Sequence, residues 1–204
     1  MIIASNITRQ ESELQILDFN RNLSAIERLD YLTFIQKNSF YFSKNARVMN
    51  PSEENFYFDF IEKLTEYKVA HLIIGGYAVN YYGYVRNTGD FDIWVKPGWD
   101  NLQNLVKSIE SMKINIRGNV DFMQKTGTID GILTLSKGFY RIEIQTEIDG
   151  LKSFDFSLKN AQKSKYKNVE LNFISYEDLI DNKNATTREK DKIDVLELRK
   201  INKK

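Results

Sequence analysis

The period of the apolar positions changes twice along this chain, and the changes mark out its elements. Up to about residue 67 apolar residues recur every three or four positions. Leu14 and Leu17, then Ile26, Leu29, Leu32 and Ile35, fall at helical spacing, so one or two amphipathic helices are expected before residue 50. Asn50-Pro51-Ser52 reads as a turn, with Ser52 as a helix cap and Glu53 and Glu54 in the first turn, where the helix dipole favours acids. That helix is expected over about Glu53 to Tyr67, with Phe56, Phe60, Ile61 and Leu64 inward. Val69-Ala70-His71-Leu72-Ile73-Ile74 is then a short apolar run that stops at Gly75-Gly76, which reads as a buried strand ending in a tight turn.

A short helix is expected from Tyr77 to Tyr82, a second strand over Phe91-Asp92-Ile93-Trp94-Val95, and a helix from Asn101 to Met112. Alternation resumes between Ile129 and Ile148. Ile132, Leu133 and Leu135, the turn Ser136-Lys137-Gly138, and Tyr140, Ile142 and Ile144 describe an antiparallel hairpin. Val169 to Phe173 is a further strand, paired with Gln162 to Lys167, and the end is helical over Tyr176 to Asp181 and Thr187 to Lys200. A basic tail from Lys200 to Lys204 is expected to fray. The sum is an α+β domain with a mixed or antiparallel sheet flanked by helices, over residues 51–204, with an N-terminal helical extension over residues 1–50.

Composition narrows the chemistry. With 42% hydrophobic residues in 204, the chain can bury a core without covalent staples. It has no cysteine, which excludes disulfides, thiolate metal sites and a cysteine nucleophile, and the single His71 excludes a multi-histidine metal site. Lys and Arg total 29 against 28 for Asp and Glu, so there is no global electrostatic footprint for nucleic acid. The opening Met1-Ile2-Ile3-Ala4 is too short for a secretory leader and is soon followed by charges, and no stretch has the apolar length of a membrane helix. The expected location is the cytoplasm, away from membranes.

The segment Leu72-Ile73-Ile74-Gly75-Gly76-Tyr77-Ala78-Val79, with Gly83, Arg86, Thr88, Asp90 and Asp92 after it, carries the chemistry. A double glycine opening a helix lets a ligand approach the backbone, and a helix N-terminus favours anions. In Asp90-Phe91-Asp92 the two acids lie two residues apart on a strand, so they project to one face. Like charges so close need a cation between them, and a hard divalent ion with oxygen ligands is the natural occupant. Each half of this pattern has a plainer reading: any strand-to-helix turn uses glycine, and surface strands often carry paired acids. Together, between apolar strands, they favour a site.

Strand, Gly75-Gly76, short helix and Asp90-Phe91-Asp92 on the next strand resemble the nucleotidyltransferase superfamily, which includes DNA polymerase beta and the kanamycin and minimal nucleotidyltransferases. Gly76-Tyr77-Ala78-Val79, Gly83 and Arg86-x-Thr88-x-Asp90-x-Asp92 look most like its bacterial branch of uncharacterised and abortive-infection toxin-type members. The resemblance spans roughly residues 56–200 and implies the nucleotidyltransferase fold. It implies that Asp90, Asp92 and a third carboxylate hold Mg2+ (or Mn2+), that Gly75 and Gly76 bind the triphosphate through backbone N–H groups, and that Arg86 and Thr88 also bind the nucleotide. Glu143, a charge inside the apolar strand Tyr140 to Ile144, matches the third carboxylate best, ahead of Glu147 and Asp149. Arg188-x-Lys190-Asp191-x-x-Asp194 is similar to the helix that closes the domain, with Lys190 on triphosphate and Asp191 orienting it. The implied reaction is attack by an acceptor hydroxyl on the α-phosphorus of a nucleoside triphosphate, with pyrophosphate leaving.

Plainer roles stand beside these. Glu143 is equally suited to pairing with Arg141 or Lys152, Arg86 and Thr88 to holding the acidic strand, and Lys190 and Asp191 to a solvated helix face. His71, Trp94 and Trp99 read as packing residues; the cluster Tyr77, Tyr81, Tyr82 and Tyr84 suits either a base pocket or the core. Two other functions compete: a nucleotide-binding regulatory module without catalysis, and a toxin–antitoxin-type transferase acting on RNA or a partner protein. The acceptor (small molecule, RNA or protein), the nucleotide, and a homodimer or operon-encoded partner are all left open.

Overall fold

The carboxylate strand sits at the middle of a seven-stranded mixed sheet of order β3-β4-β5-β2-β1-β7-β6. The structure is a computed structural model, and the residues it describes are 22–30, 56–117, 120–138, 140–166 and 168–202. In chain order the elements are α1 (Phe56–Glu66), β1 (His71–Ile73), α2 (Gly75–Tyr81), β2 (Phe91–Val95), α3 (Trp99–Ser111), β3 (Asn115–Arg117), α4 (Val120–Thr126), β4 (Leu133–Lys137), β5 (Tyr140–Gln145), α5 (Phe154–Lys159), β6 (Gln162–Tyr166), β7 (Val169–Phe173), α6 (Tyr176–Ala185) and α7 (Glu189–Ile201). β1 runs antiparallel to β2 and parallel to β7, and β2 runs parallel to β5. β3, β4 and β5 form an antiparallel meander, and β6 pairs antiparallel with β7.

Strand alternation decides which face is core. Phe91, Ile93 and Val95 of β2 share a face with Ile142 and Ile144 of β5, and all five are buried. α1 covers that face: Tyr57 stacks on Phe91 with ring centroids 4.9 Å apart, and Phe60, Ile61 and Leu64 are fully buried. Each such side chain contributes about 2 kcal/mol by leaving water. α3 packs beside α1 through Leu102, Leu105, Val106 and Ile109, the predicted face. The opposite face of β2 and β5 carries Asp92, Trp94, Glu143 and Gln145, so the polar residues of two apolar strands are gathered on one side.

The expected strands and long helices are present, with ends shifted by a few residues. β3, α4 and α5 were not anticipated: β3 has three residues, α4 seven and α5 six, too few to show a period. The helix expected around Leu14 and Leu17, the turn at Asn50-Pro51-Ser52 and the last two lysines lie outside the described residues. Within the expected extension, residues 25–30 are helical and pack on the domain: Leu29 is buried, Arg28 donates to the Tyr81 carbonyl at 2.9 Å, and Asp30 accepts from the Tyr166 hydroxyl at 2.7 Å. Lys200 and Ile201 belong to α7, so the expected fraying does not begin at Lys200.

Candidate active site

The turn between β1 and α2 exists to let two side chains press against backbone. Gly75 has φ +61, and a Cβ there would lie 1.9 Å from the Asp92 Oδ2. A Cβ on Gly76 would lie 2.2 Å from the Thr88 Oγ1. Both positions therefore demand glycine, one for conformation and space and the other for space alone. The Gly76 N–H donates to Asp92 Oδ2 at 3.3 Å, so this N–H, expected to face a phosphate, is turned to the protein's own carboxylate.

Asp92 and Glu143 are side by side in the parallel β2–β5 register. Burial pushes the Asp92 carboxyl up to about 6, and the Glu143 charge adds to the rise; the Gly76 N–H and, more weakly, the Lys183 charge oppose it. Arg141 reaches both outer acids. Its Nε is 3.3 Å from Asp90 Oδ1, and its Nη2 donates to Glu143 Oε1. The pairing of Glu143 with Arg141 foreseen as its plainer role is thus present, while Glu143 still faces the cavity. Among the described residues no three acids or histidines stand close enough to form a ready metal cage. The donor set nevertheless fits a hard divalent cation: every donor is a carboxylate oxygen, and Asp92 carries a desolvated negative charge with no cation paired to it in the described set.

The opposite wall is basic. Asn80, buried in α2, donates to the Gly76 carbonyl at 2.7 Å and to the Arg86 carbonyl at 3.1 Å, and accepts from the Arg86 N–H at 2.8 Å, which clamps the loop before β2 onto the glycine turn. Arg86 holds the fully buried Asp194 bidentately at 2.6 and 2.8 Å. Thr88 Oγ1 donates to the Asp90 carbonyl at 3.3 Å. The Thr88 contact matches the strand-holding role foreseen for it, whereas the Arg86 side chain ties the loop before β2 to α7 and not to the acidic strand; both residues also line the cavity. Buried Lys183 pairs with Asp191 and, at 3.1 Å, with Asp194. Asp191 therefore orients Lys183, Thr186 and Arg188 (Arg188 Nε at 2.6 Å), not its neighbour Lys190. Burial opposes ionisation of Asp191, but these three donors hold its carboxyl below the usual value. Lys190 makes no ion pair among the described residues, and burial, then Arg86 and Lys183, lower its ammonium below the usual lysine range.

One cavity of about 690 Å³ is lined by all eight positions singled out from the sequence: Gly75, Gly76, Arg86, Thr88, Asp90, Asp92, Glu143 and Lys190. The rivals Glu147 and Asp149 line it too, as do Lys183 and Arg188. Lys183 and Asn80 were missed. Asn80 gave one signal, a polar residue inside an apolar helix; Lys183 gave none in the polar stretch Tyr176 to Ala185. Tyr77 and Tyr81 are buried in the core and do not reach this cavity. His71 is buried, with Nδ1 2.8 Å from the Val69 carbonyl, and Trp94 is buried with its indole N–H on the Thr146 carbonyl. Trp99 differs from the packing expectation: it is 58% exposed at the start of α3.

No protein-family model and no curated protein matches this sequence. Solved structures do. The solution structure of the antibiotic-resistance factor ANT(2'')-Ia matches with a TM-score of 0.51 and 12% identity, over 74% of this chain and 85% of that one. The chain has the nucleotidyltransferase fold. The lincomycin-bound lincosamide antibiotic adenylyltransferase LnuA matches with a TM-score of 0.49 and 16% identity, over 75% of this chain and 98% of its own. A proposed nucleotidyltransferase of Thermotoga maritima matches at 0.48 and 13%, over 78% and 97%. Within the nucleotidyltransferase fold seen here, the cavity opens where the glycine turn, the carboxylate strands and the α6–α7 corner meet. No helix among the described residues is long and apolar enough to cross a membrane.

Proposed function

We propose that this protein transfers a nucleotidyl group from a nucleoside triphosphate to an acceptor hydroxyl. The carrying observation is the polarity of the cavity, with Asp90, Asp92 and Glu143 on one side and Arg86, Lys183, Arg188 and Lys190 on the other. A triphosphate carries its charge to the basic side, where Lys190 is the cation left without an acid partner among the described residues, and its α-phosphorus faces the acids. The acceptor oxygen bonds the α-phosphorus, the bond from that phosphorus to the β-phosphate oxygen breaks, and pyrophosphate leaves with the electron pair. The acceptor's proton passes to the Asp92–Glu143 pair. Asp90, Asp92 and Glu143 would hold Mg2+ or Mn2+, which when bound neutralises charge on the phosphate oxygens and lowers the hydroxyl's pKa. Arg141 must then release Asp90 and Glu143.

The test is incubation with each α-labelled nucleoside triphosphate and magnesium, with host extract as acceptor source, beside an Asp90→Asn, Asp92→Asn variant. Label on an acceptor with the intact protein alone supports the reading; equal label with the variant removes it. Arg141 gives a second reading some footing, since an arginine on both outer acids suits a nucleotide-binding module without turnover. Triphosphate binding with no turnover in any extract would favour that module.

A further inference from the structure

The last helix is partly inverted in polarity. α7 buries Asp191, Asp194, Val195 and Leu198 against the domain. The two acids hold Lys183, Arg188 and Arg86 at the cavity wall. At 3.6 residues per turn, the positions on the opposite side of the helix are 189, 193, 196 and 200. They carry Glu189, Ile193, Leu196 and Lys200. Ile193 is 50% exposed and Leu196 58%. The other large apolar residues exposed among the described ones, Trp99, Ile132 and Phe156, stand apart on α3, before β4 and on α5. Single apolar residues on a surface are ordinary. Two neighbours on the crest of a helix whose core side holds two acids need a reason.

The crest is complementary to itself in one direction. Its spacing of four, three and four residues is that of a seam between two packed helices. Set two copies antiparallel about a two-fold axis at the middle of the helix. Ile193 of each copy then meets Leu196 of the other, and Glu189 of each meets Lys200 of the other. Beside the seam, Lys190 comes near Glu197 of the second copy, which is favourable, and Lys192 near Arg199, which is not. A parallel pair would instead set Glu189 on Glu189 and Lys200 on Lys200. Within one helix Glu189 pairs with Lys192 and Glu197 with Lys200, each at 2.6 Å. These are exposed pairs, which cost little to exchange. A foreign helix would require no such match between the two ends of one face, whereas a two-fold contact does.

We propose that this face of α7 joins two copies of the chain, packed antiparallel. The pairing does not depend on the transfer reading. One helix crest falls short of the ~1,200 Å² that a standard interface buries, so the contact is a weak one. Its dissociation constant is expected at about 10–100 μM. The inner acids of each α7 fix the basic wall of a cavity, so one interface stands behind two sites.

Sedimentation equilibrium up to about 0.5 mM tests this, since it spans the expected constant. The parent protein should pass from monomer to dimer. Ile193→Asp, Leu196→Asp together should weaken association at least about tenfold and leave the Tm unchanged, because both side chains face solvent in the monomer. Glu189→Lys should weaken it several-fold, and adding Lys200→Glu should restore it. The chain has no cysteine, so the register can be read directly. Ile193→Cys protein mixed with Leu196→Cys protein should form the mixed disulfide dimer faster than either protein forms its own. A monomer throughout, a dimer indifferent to the crest substitutions, or same-residue disulfides that form fastest would overturn the proposal.

Discussion

Replacing Asp92 by Asn should make the metal-free protein more stable. Burial and the adjacent Glu143 raise the Asp92 carboxyl from 3.8 to about 6, so the folded state binds this proton more tightly than the unfolded chain does. The group therefore favours folding below about pH 4, and that contribution is lost as pH rises through 6. A rise of this size corresponds to about 3 kcal/mol of lost stability once the group is ionised. Asn keeps the volume, removes the charge and weakens the acceptor for the Gly76 N–H, a bond worth about 1 kcal/mol. The net gain at about pH 7.5 is then about 1–2 kcal/mol, or about 3–6 °C in Tm for a domain of this size. Thermal unfolding of both proteins between pH 4 and 8 reads it directly, with the gain fading towards pH 4. Magnesium should raise the Tm of the parent protein above neutrality and leave the variant unmoved. A variant with equal or lower Tm at pH 7.5, or a gain as large at pH 4, would refute the electrostatic account of Asp92.

Gly75→Ala should cost about 1–2 kcal/mol for its left-handed backbone and lower transfer by about a hundredfold by displacing Asp92; unaltered turnover in a folded variant contradicts this. Asp194→Asn leaves Arg86 and Lys183 without their shared buried partner and should cost about 3–5 kcal/mol in urea unfolding, with a loss under 1 kcal/mol counting against the network. Arg141→Gln frees Asp90 and Glu143 and should tighten Mn2+ binding several-fold by electron paramagnetic resonance, while shifting stability by no more than about 0.5 kcal/mol because Arg141 is half exposed. Unchanged Mn2+ affinity would show that the arginine does not compete for that space.

What could be read from the sequence was local. Asp90 and Asp92 stand two apart in the sequence, Asp92 on β2 and Asp90 just before it, and both line the cavity; Glu143 stands out as a charge between Ile142 and Ile144. Strand existence followed from short β-branched runs, and α3 from its apolar stripe. Contacts distant along the chain were not legible. The register that sets Glu143 beside Asp92 joins strands with two helices and two strands between them. The Arg86–Asp194 pair spans 108 residues. The sequence suggests that Asp191 orients its neighbour, but its helical position turns it to Lys183, on α6 across the α6–α7 corner and invisible to a motif. The glycines read as a seat for phosphate; the tight contacts of Gly76 with Thr88 and of Gly75 with Asp92 depend on side chains that arrive more than ten residues later.

The central claim is that the cavity moves the α-phosphoryl group and releases pyrophosphate. It is tested most directly by running α-labelled and γ-labelled nucleoside triphosphate in parallel with magnesium and acceptor-containing extract. The account predicts α label on the acceptor and γ label in pyrophosphate, both lost when Asp92 is Asn. γ label on the acceptor, or transfer that survives the Asp92 change, would contradict it.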